Sequence, residues 1–115
     1  VKYFYFHTDG NLMEAMEDLI EIGFNIFNPI QPECMDPYEV KRRWGDKIVL
    51  DGTISSQHTL PFGTVDDVRR EVRERIERLA YNGGLVIAPN NVVQYDVPVE
   101  NILAVYETAK EVGCP

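Results

Sequence analysis

The sequence predicts an α/β protein built on a parallel sheet, because three features recur four times in the same order. First, four short apolar runs have the length and composition of buried strands; they occupy residues 3–6, 24–27, 48–50 and 85–88. Second, a polar loop follows each run. Third, each loop leads into a segment that is apolar on one side only, which predicts a helix lying on the sheet with water behind it.

Capping signals set the limits of the four predicted helices. A polar residue or a proline marks a start, and a glycine marks an end. The helices are predicted to run from Asn11 to Gly23, from Asp36 and Pro37 to Gly45, from Thr64 with Asp67 onward, and from Pro98 to Gly113. Right-handed β/α units in series leave two topologies open at this point, an open sheet or an arc of a barrel.

Composition and charge narrow the class of protein. The 115 residues suit a single domain, with 44% hydrophobic and 26% charged residues. A net charge of −8 argues against nucleic acid as a partner, because phosphate binding needs a basic surface. No apolar stretch approaches the length of a transmembrane helix and no signal-peptide layout is found, so we predict no membrane association and a cytoplasmic location. Both cysteines, Cys34 and Cys114, are predicted to be free thiols.

The loop after the first predicted strand carries His7 and Asp9. Parallel α/β proteins place their sites at the carboxyl ends of strands, where an imidazole and a carboxylate can share a proton or a metal ion. The structural alternative is that His7 caps the sheet edge while Asp9 helps Asn11 to satisfy free helix N–H groups. His58 has no acid near it in sequence, so we interpret it as a loop histidine.

The later loops carry weaker candidates. Asn28, Gln31 and Glu33 lie in a loop that prolines stiffen, which lowers the cost of ordering it around a ligand. The alternative is a connector that the prolines merely hold off the sheet. Asp51 and Asn91 follow the third and fourth strands, where carboxylates and amides also serve as helix caps. No glycine-rich phosphate motif follows any strand, which argues against dinucleotide binding.

Four ordered blocks, spread along nearly the whole chain, are distinctive as a set. They read HTDGN at 7–11, NPIQP at 28–32 with MDP at 35–37, QHTLPFGT at 57–64, and APNNVVQ at 88–94 with DVPVENI at 96–102. On these blocks the chain resembles the C-terminal part of the uroporphyrinogen decarboxylase (URO-D) family, which includes corrinoid-linked methyltransferases. Members of that family are (β/α)8 TIM barrels. The resemblance therefore implies a C-terminal (β/α)4 half-barrel, a single partial domain over residues 1–115 that lacks the N-terminal half.

The first function that the resemblance implies is decarboxylation of uroporphyrinogen in tetrapyrrole (heme) biosynthesis, without a cofactor. The implied catalytic residues are His7 and Asp9. The implied substrate-binding residues are Asn28, Gln31, Glu33, Asp51 and Asn91. That branch of the family uses an aspartate from the N-terminal half and a histidine after the last strand, and the matching position here is Asn91, which cannot titrate. We therefore expect little decarboxylase activity from the isolated chain.

Two alternatives stay open. A corrinoid- and zinc-linked methyltransferase would hold zinc through a His-x-Cys pair and a later cysteine; the matching positions are His7, Asp9 and Asn91, of which only His7 and Asp9 are acceptable ligands. A non-catalytic, self-associating half-barrel is the other. The strands at residues 3–6 and 85–88 lack protective charges, which predicts a homo-oligomer through these edges or a missing N-terminal half that covers them. Under either catalytic interpretation the partner is a small-molecule substrate.

Overall fold

The computed structural model describes residues 2–113 and contains a four-stranded parallel sheet with helices packed against it. The elements, in chain order, are β1 (Tyr5–His7), α1 (Met16–Ile22), β2 (Ile26–Asn28), α2 (Pro37–Trp44), β3 (Val49–Asp51), α3 (Thr59–Phe62), α4 (Val65–Leu79), β4 (Leu85–Val86) and α5 (Val99–Val112). Neighbouring strands pair in the order β1-β2-β3-β4, and every pair is parallel. The predicted parallel α/β class is confirmed.

The two faces of the sheet have different surroundings, because successive side chains of a strand point to opposite sides. One face packs against the helices and contains Phe27 and Leu50, both fully buried, with Phe6 and Leu85 beside them. The opposite face, here called the inner face, carries the alternate residues. These are Tyr5, His7, Ile26, Asn28, Val49, Asp51 and Val86.

The inner face is open to solvent at both edges of the sheet. Tyr5 in β1 is 52% exposed and Val86 in β4 is 46% exposed. Within residues 2–113 the inner face is thus partly uncovered, although an apolar strand composition is typical of a parallel sheet with both faces covered. Strand composition alone cannot reveal this, because a strand that lines a barrel interior and a strand buried between helix layers share the same apolar pattern.

A second core cluster joins α4 and α5. Val68, Val72 and Ile76 of α4 pack with Ala104 and Val105 of α5, and all five are buried. Helix α4 begins with the predicted capping box: Thr64 Oγ1 accepts from the Asp67 amide at 3.1 Å, and Asp67 Oδ2 accepts from the Thr64 amide at 2.9 Å. The helix is thus fixed in position relative to the loop that follows β3.

Several element boundaries differ from the predicted ones, and one short helix is additional. Helix α1 begins at Met16 rather than directly after Asn11, because residues 12–15 form a turn in which the Ala15 amide donates to Leu12 O at 2.9 Å. Asn11 Oδ1 accepts from the Met13 amide and so caps that turn. The strands β1, β2 and β3 begin and end one or two residues later than predicted, and β4 ends two residues earlier. Helix α3 was not predicted, since four residues are too few to display a helical period.

Two further predictions concern the cysteines and the membrane. Cys34 is a free thiol, as predicted, and Cys114 lies outside the described residues. None of the helices within residues 2–113 is long and apolar enough to cross a bilayer.

Candidate functional site

The last residues of three neighbouring strands lie side by side at the carboxyl edge of the sheet. His7, Asn28 and Asp51 end β1, β2 and β3, and His7 is paired in register with Asn28. Because all three occupy alternate positions, they lie on the inner face. His7 Nδ1 lies 2.8 Å from Asn28 Oδ1, and Tyr5 OH donates to Asp51 Oδ2 at 3.0 Å. We call these two contacts the inner-face pairs.

The His7–Asn28 contact fixes one nitrogen of the imidazole ring. An amide oxygen can only accept, so with Oδ1 facing the ring, Nδ1 carries the proton. The other nitrogen, Nε2, is then the basic one, and the His7 side chain is exposed. The pair therefore orients a proton acceptor toward the open side of the sheet.

Gly52 allows the strand ends to approach closely. Its φ is +77°, and a Cβ atom there would lie 3.0 Å from Asn28 Nδ2 and 3.2 Å from Pro89 O. A larger residue would be strained in this conformation and would push against both neighbours. The glycine thus brings the Asn28 amide next to the segment that follows β3.

The second inner-face pair keeps Tyr5 protonated. Desolvation raises the pKa of the Tyr5 hydroxyl, and both the hydrogen bond to Asp51 and the negative charge of Asp51 raise it further. A phenol with a raised pKa is a hydrogen-bond donor at neutral pH. The pair thus holds the Asp51 carboxylate on the inner face, next to the polar end of the sheet.

A second polar cluster, here called the loop clamp, joins the segments that follow β2, β3 and β4. Its members are Glu33, Ser55, Ser56 and Asn90. Asn90 is only 2% exposed; its Nδ2 donates to Glu33 Oε2 at 3.1 Å, and its Oδ1 accepts from the Ser56 amide at 3.1 Å and from the Ser56 hydroxyl. Ser55 Oγ donates to Glu33 Oε1. Both carboxylate oxygens of Glu33 are thus engaged within the protein.

Arg75 on α4 holds the loop that follows β3 through hydrogen bonds. Its guanidinium donates to Thr53 O at 3.1 Å, to Tyr38 OH at 2.6 Å and to Glu71 Oε1 at 3.0 Å. Glu71 Oε2 also accepts from the Ser55 amide. Desolvation raises the pKa of the Glu71 carboxyl, and the charge of Arg75 partly offsets this. The arrangement is a buried, nearly saturated network, typical of a structural role.

The structure separates the predicted site residues into groups. It brings His7 together with Asn28, while Asp51 pairs with Tyr5. Glu33 belongs to the loop clamp instead. Two candidates are exposed and one is buried. Asp9 is exposed in the loop after β1. Asn91 is also exposed, and its Oδ1 accepts from the Val92 amide at 2.7 Å. Gln31 is buried, and its backbone carbonyl accepts from the Cys34 and Met35 amides.

Sequence reasoning missed Tyr5 and Asn90. The signal for Tyr5 was available, because it stands two residues before His7 in the same strand and therefore on the same face. Asn90 stands next to Asn91 in the sequence, and only the packing reveals that Asn90 is the buried one.

The donor set does not fit a zinc ion held by three protein ligands. Among residues 2–113, no three histidine, cysteine, aspartate or glutamate side chains converge on a common point. His7 and Asp9 are chemically suitable, but the Asn91 side-chain oxygen accepts from its own turn. An amide oxygen is in any case a poor zinc ligand compared with sulfur, imidazole or carboxylate.

Comparison with known proteins connects this fold to a family. The family described as uroporphyrinogen decarboxylase (URO-D) matches residues 2–112. The chain belongs to this family. The resemblance noted from the sequence blocks is confirmed, and so is the family's fold, since the structure superimposes on a methyltransferase from Methanosarcina mazei with a TM-score of 0.74. That match has 26% identity and covers 95% of this chain but 31% of the other.

The similar curated proteins are methyltransferases. The methylcobamide:CoM methyltransferase MtaA of Methanosarcina barkeri is 30% identical over 106 residues, which is 91% of this chain and 30% of the relative. The protein of that name from Methanosarcina barkeri strain Fusaro is 28% identical over the same length. The chain thus spans about a third of these relatives. They favour the methyltransferase alternative at least as strongly as the decarboxylase interpretation.

Proposed function

We propose that this chain forms part of the active-site barrel of a methyltransferase that moves a methyl group between a corrinoid carrier and a small-molecule acceptor. The names of the similar proteins support the reaction class. The observation that carries the proposal is the His7–Asn28 pair, which leaves an oriented imidazole nitrogen at the edge of the sheet where barrel enzymes bind their substrates.

His7 acts as the general base in this proposal. Its Nε2 accepts the proton of the acceptor's S–H or O–H group as the acceptor's heteroatom bonds to the methyl carbon. The methylated corrinoid supplies the methyl group and keeps the electron pair of the bond that breaks. The products are the methylated acceptor, the demethylated corrinoid with the electron pair of the broken bond, and a protonated His7, whose Nδ1–H donates to Asn28. No step needs a metal ion held by residues of this chain.

The remaining site residues bind or position in this proposal. Asp51 offers a carboxylate acceptor to a polar group of the substrate beside His7, and the Tyr5 hydroxyl, whose proton is donated to Asp51, holds that carboxylate in position. Asp9 and Asn91, both exposed, lie on loops at the same edge and can contact a substrate that fills the barrel mouth. Glu33 and Gln31 hold their loop in place. A small-molecule substrate fits this arrangement, because few polar groups surround an otherwise apolar face.

The test compares two reactions in the intact gene product. Methylcobalamin with a thiol acceptor is followed by the change in the cobalamin absorbance spectrum, and uroporphyrinogen is followed by the formation of less carboxylated porphyrins. The proposal predicts demethylation of the cobalamin and no decarboxylation. Decarboxylation without any demethylation would overturn it in favour of the reaction after which the family is named.

Self-association is the second candidate, and the exposed sheet edges favour it. Tyr3 is 60% exposed and Phe4 46%, next to β1, and Val86 of β4 is 46% exposed at the other edge. Two copies could cover these edges by pairing. Light scattering coupled to size exclusion tests this for the 115-residue chain: a species of twice 13.2 kDa supports the pairing. A monomer that does not associate on concentration contradicts it.

A further inference from the structure

A cavity of about 470 Å³ lies at the end of the sheet opposite to the inner-face pairs. The end of α2 and the turn between α4 and β4 form it, so it faces the amino ends of the strands. Three successive basic residues of α2 line it, namely Lys41, Arg42 and Arg43, and Asp46 is the acidic residue in its lining. Arg43 is paired with Glu17 and Glu39, so the positive charge that remains in this lining comes from Lys41 and Arg42, in contrast to the chain's net charge of −8.

Lys41 is the central feature of this cavity, because its side chain is charged and almost fully buried. The residue is 3% exposed. Its ammonium donates to Gly83 O at 2.7 Å and lies 4.8 Å from the centre of the Tyr81 ring. No ion pair to Lys41 is found in the described part of the chain. An ammonium group has three donors, so one carbonyl leaves capacity for a further acceptor.

The pKa of Lys41 indicates that, among residues 2–113, its ammonium group has no negative charge beside it. Burial lowers the pKa of Lys41, and no neighbouring charge contributes to the shift. Burying a charge without a partner is costly, so such groups normally have a carboxylate or a bound anion beside them. A bound anion would stabilise the charged form of Lys41.

Two glycines keep space around the Lys41 side chain. A Cβ at Gly45 would lie 2.6 Å from Lys41 Cδ, and a Cβ at Gly84 would lie 3.5 Å from Nζ. The neighbouring Arg42 is exposed and borders the same cavity. Its planar guanidinium is suited to the oxygen atoms of phosphate.

We propose that this cavity binds a small phosphate-bearing anion, held by Lys41 from inside and by Arg42 from the rim. Phosphate and phosphomonoesters share the chemistry that the site recognises, a dianionic group with several acceptor oxygens. The site is separate from the inner-face pairs, so it does not depend on the proposed methyl transfer.

Isothermal titration of the intact gene product with inorganic phosphate, and in a second arm with phenyl phosphate, tests the proposal at constant ionic strength against sodium chloride. Lys41→Met keeps the length of the side chain and removes the charge. We expect it to weaken phosphate binding about tenfold, since a hydrogen bond to a charged group corresponds to at least that factor. Tighter binding of phenyl phosphate than of phosphate would identify a monoester as the ligand class.

Two further variants distinguish a direct loss of phosphate binding from a loss caused by misfolding. Arg42→Gln changes an exposed residue and is expected to weaken phosphate binding severalfold without loss of thermal stability. Lys110→Gln removes the same charge from the exposed face of α5 and is expected to leave binding unchanged. The proposal is overturned if the wild-type protein binds neither phosphate nor phenyl phosphate, or if Lys110→Gln weakens binding as much as Arg42→Gln does.

Discussion

The inner-face pairs and the loop clamp occupy the same end of the molecule, yet their polar groups have different surroundings. His7 is exposed and keeps one ring nitrogen without a protein partner in the structure described. In the loop clamp, Asn90 is 2% exposed; Glu33 is exposed, but both of its carboxylate oxygens accept hydrogen bonds from within the protein. Polar residues after strands thus divide into those that can meet a ligand and those that hold loops together. Substitutions in these two groups should therefore have different effects on activity and on stability.

The largest effect on stability is expected at Arg75. Replacing it by Met removes three hydrogen bonds and leaves the partly buried Glu71 carboxyl without its partner. Breaking a buried pair on one side costs about 3–5 kcal/mol of unfolding free energy. Urea unfolding of the intact gene product measures the loss.

Arg70→Met is the matched control for Arg75. It lies on the same helix, but its side chain is 73% exposed in an ion pair with Asp67, so we expect a change below about 1 kcal/mol. If both variants lose equal stability, the network around Arg75 is not the support that the structure indicates.

A smaller effect separates two adjacent asparagines. Asn90→Ala removes the hydrogen bonds to Glu33 and Ser56 in a buried place, which should cost about 2–3 kcal/mol. Asn91→Ala changes an exposed residue bonded only to its own turn and should stay within about 0.5 kcal/mol. Thermal and urea unfolding of the two variants measure the difference. The opposite ranking would mean that the loop clamp is assigned to the wrong residue.

A third and still smaller effect is a pH dependence of stability from Glu71. Because burial raises the pKa of its carboxyl in the folded protein, the folded state holds this proton more tightly than the unfolded state does. The resulting stabilisation is complete below the ordinary glutamate value of 4.5 and is lost as the pH rises through the raised pKa. Glu71→Gln should therefore reduce the fall in unfolding free energy that occurs as the pH rises from 4.5 through the raised pKa. An unchanged slope would contradict the raised pKa.

Much of the fold follows from the sequence, because the local signals and the final packing agree. Asp36 accepts from the Tyr38 amide at the predicted start of α2, and Thr64 and Asp67 form the predicted capping box. The apolar runs predict the strands, and their alternation with amphipathic segments predicts that the strands are parallel. The start of α1 could not be predicted, since a turn capped by Asn11 competes with the first helical turn.

The candidate site could be predicted from the sequence less completely than the fold. His7, Asn28 and Asp51 follow from one rule, that strand-end residues gather at one edge. Glu33 has the same kind of position in the sequence, but in the structure it satisfies Ser55 and Asn90. Whether a polar group is bonded within the protein or left available to a ligand depends on the path of three loops that are distant in sequence, and no local pattern determines that path.

We propose that His7 serves the reaction and not the fold, and His7→Ala tests this most directly. The measurement is the rate of methyl transfer from methylcobalamin to a thiol by the intact gene product, taken together with its unfolding free energy and its zinc content. Val72→Asp, which buries a charge in the α4–α5 core, is the control for a structural loss of several kcal/mol.

For His7→Ala, we predict a rate lower by about a hundredfold or more, since general bases contribute at least that much. The unfolding free energy should change by no more than about 0.5 kcal/mol, and the zinc content should not change. A rate close to that of the wild type, or a loss of stability like that of Val72→Asp, would contradict the account.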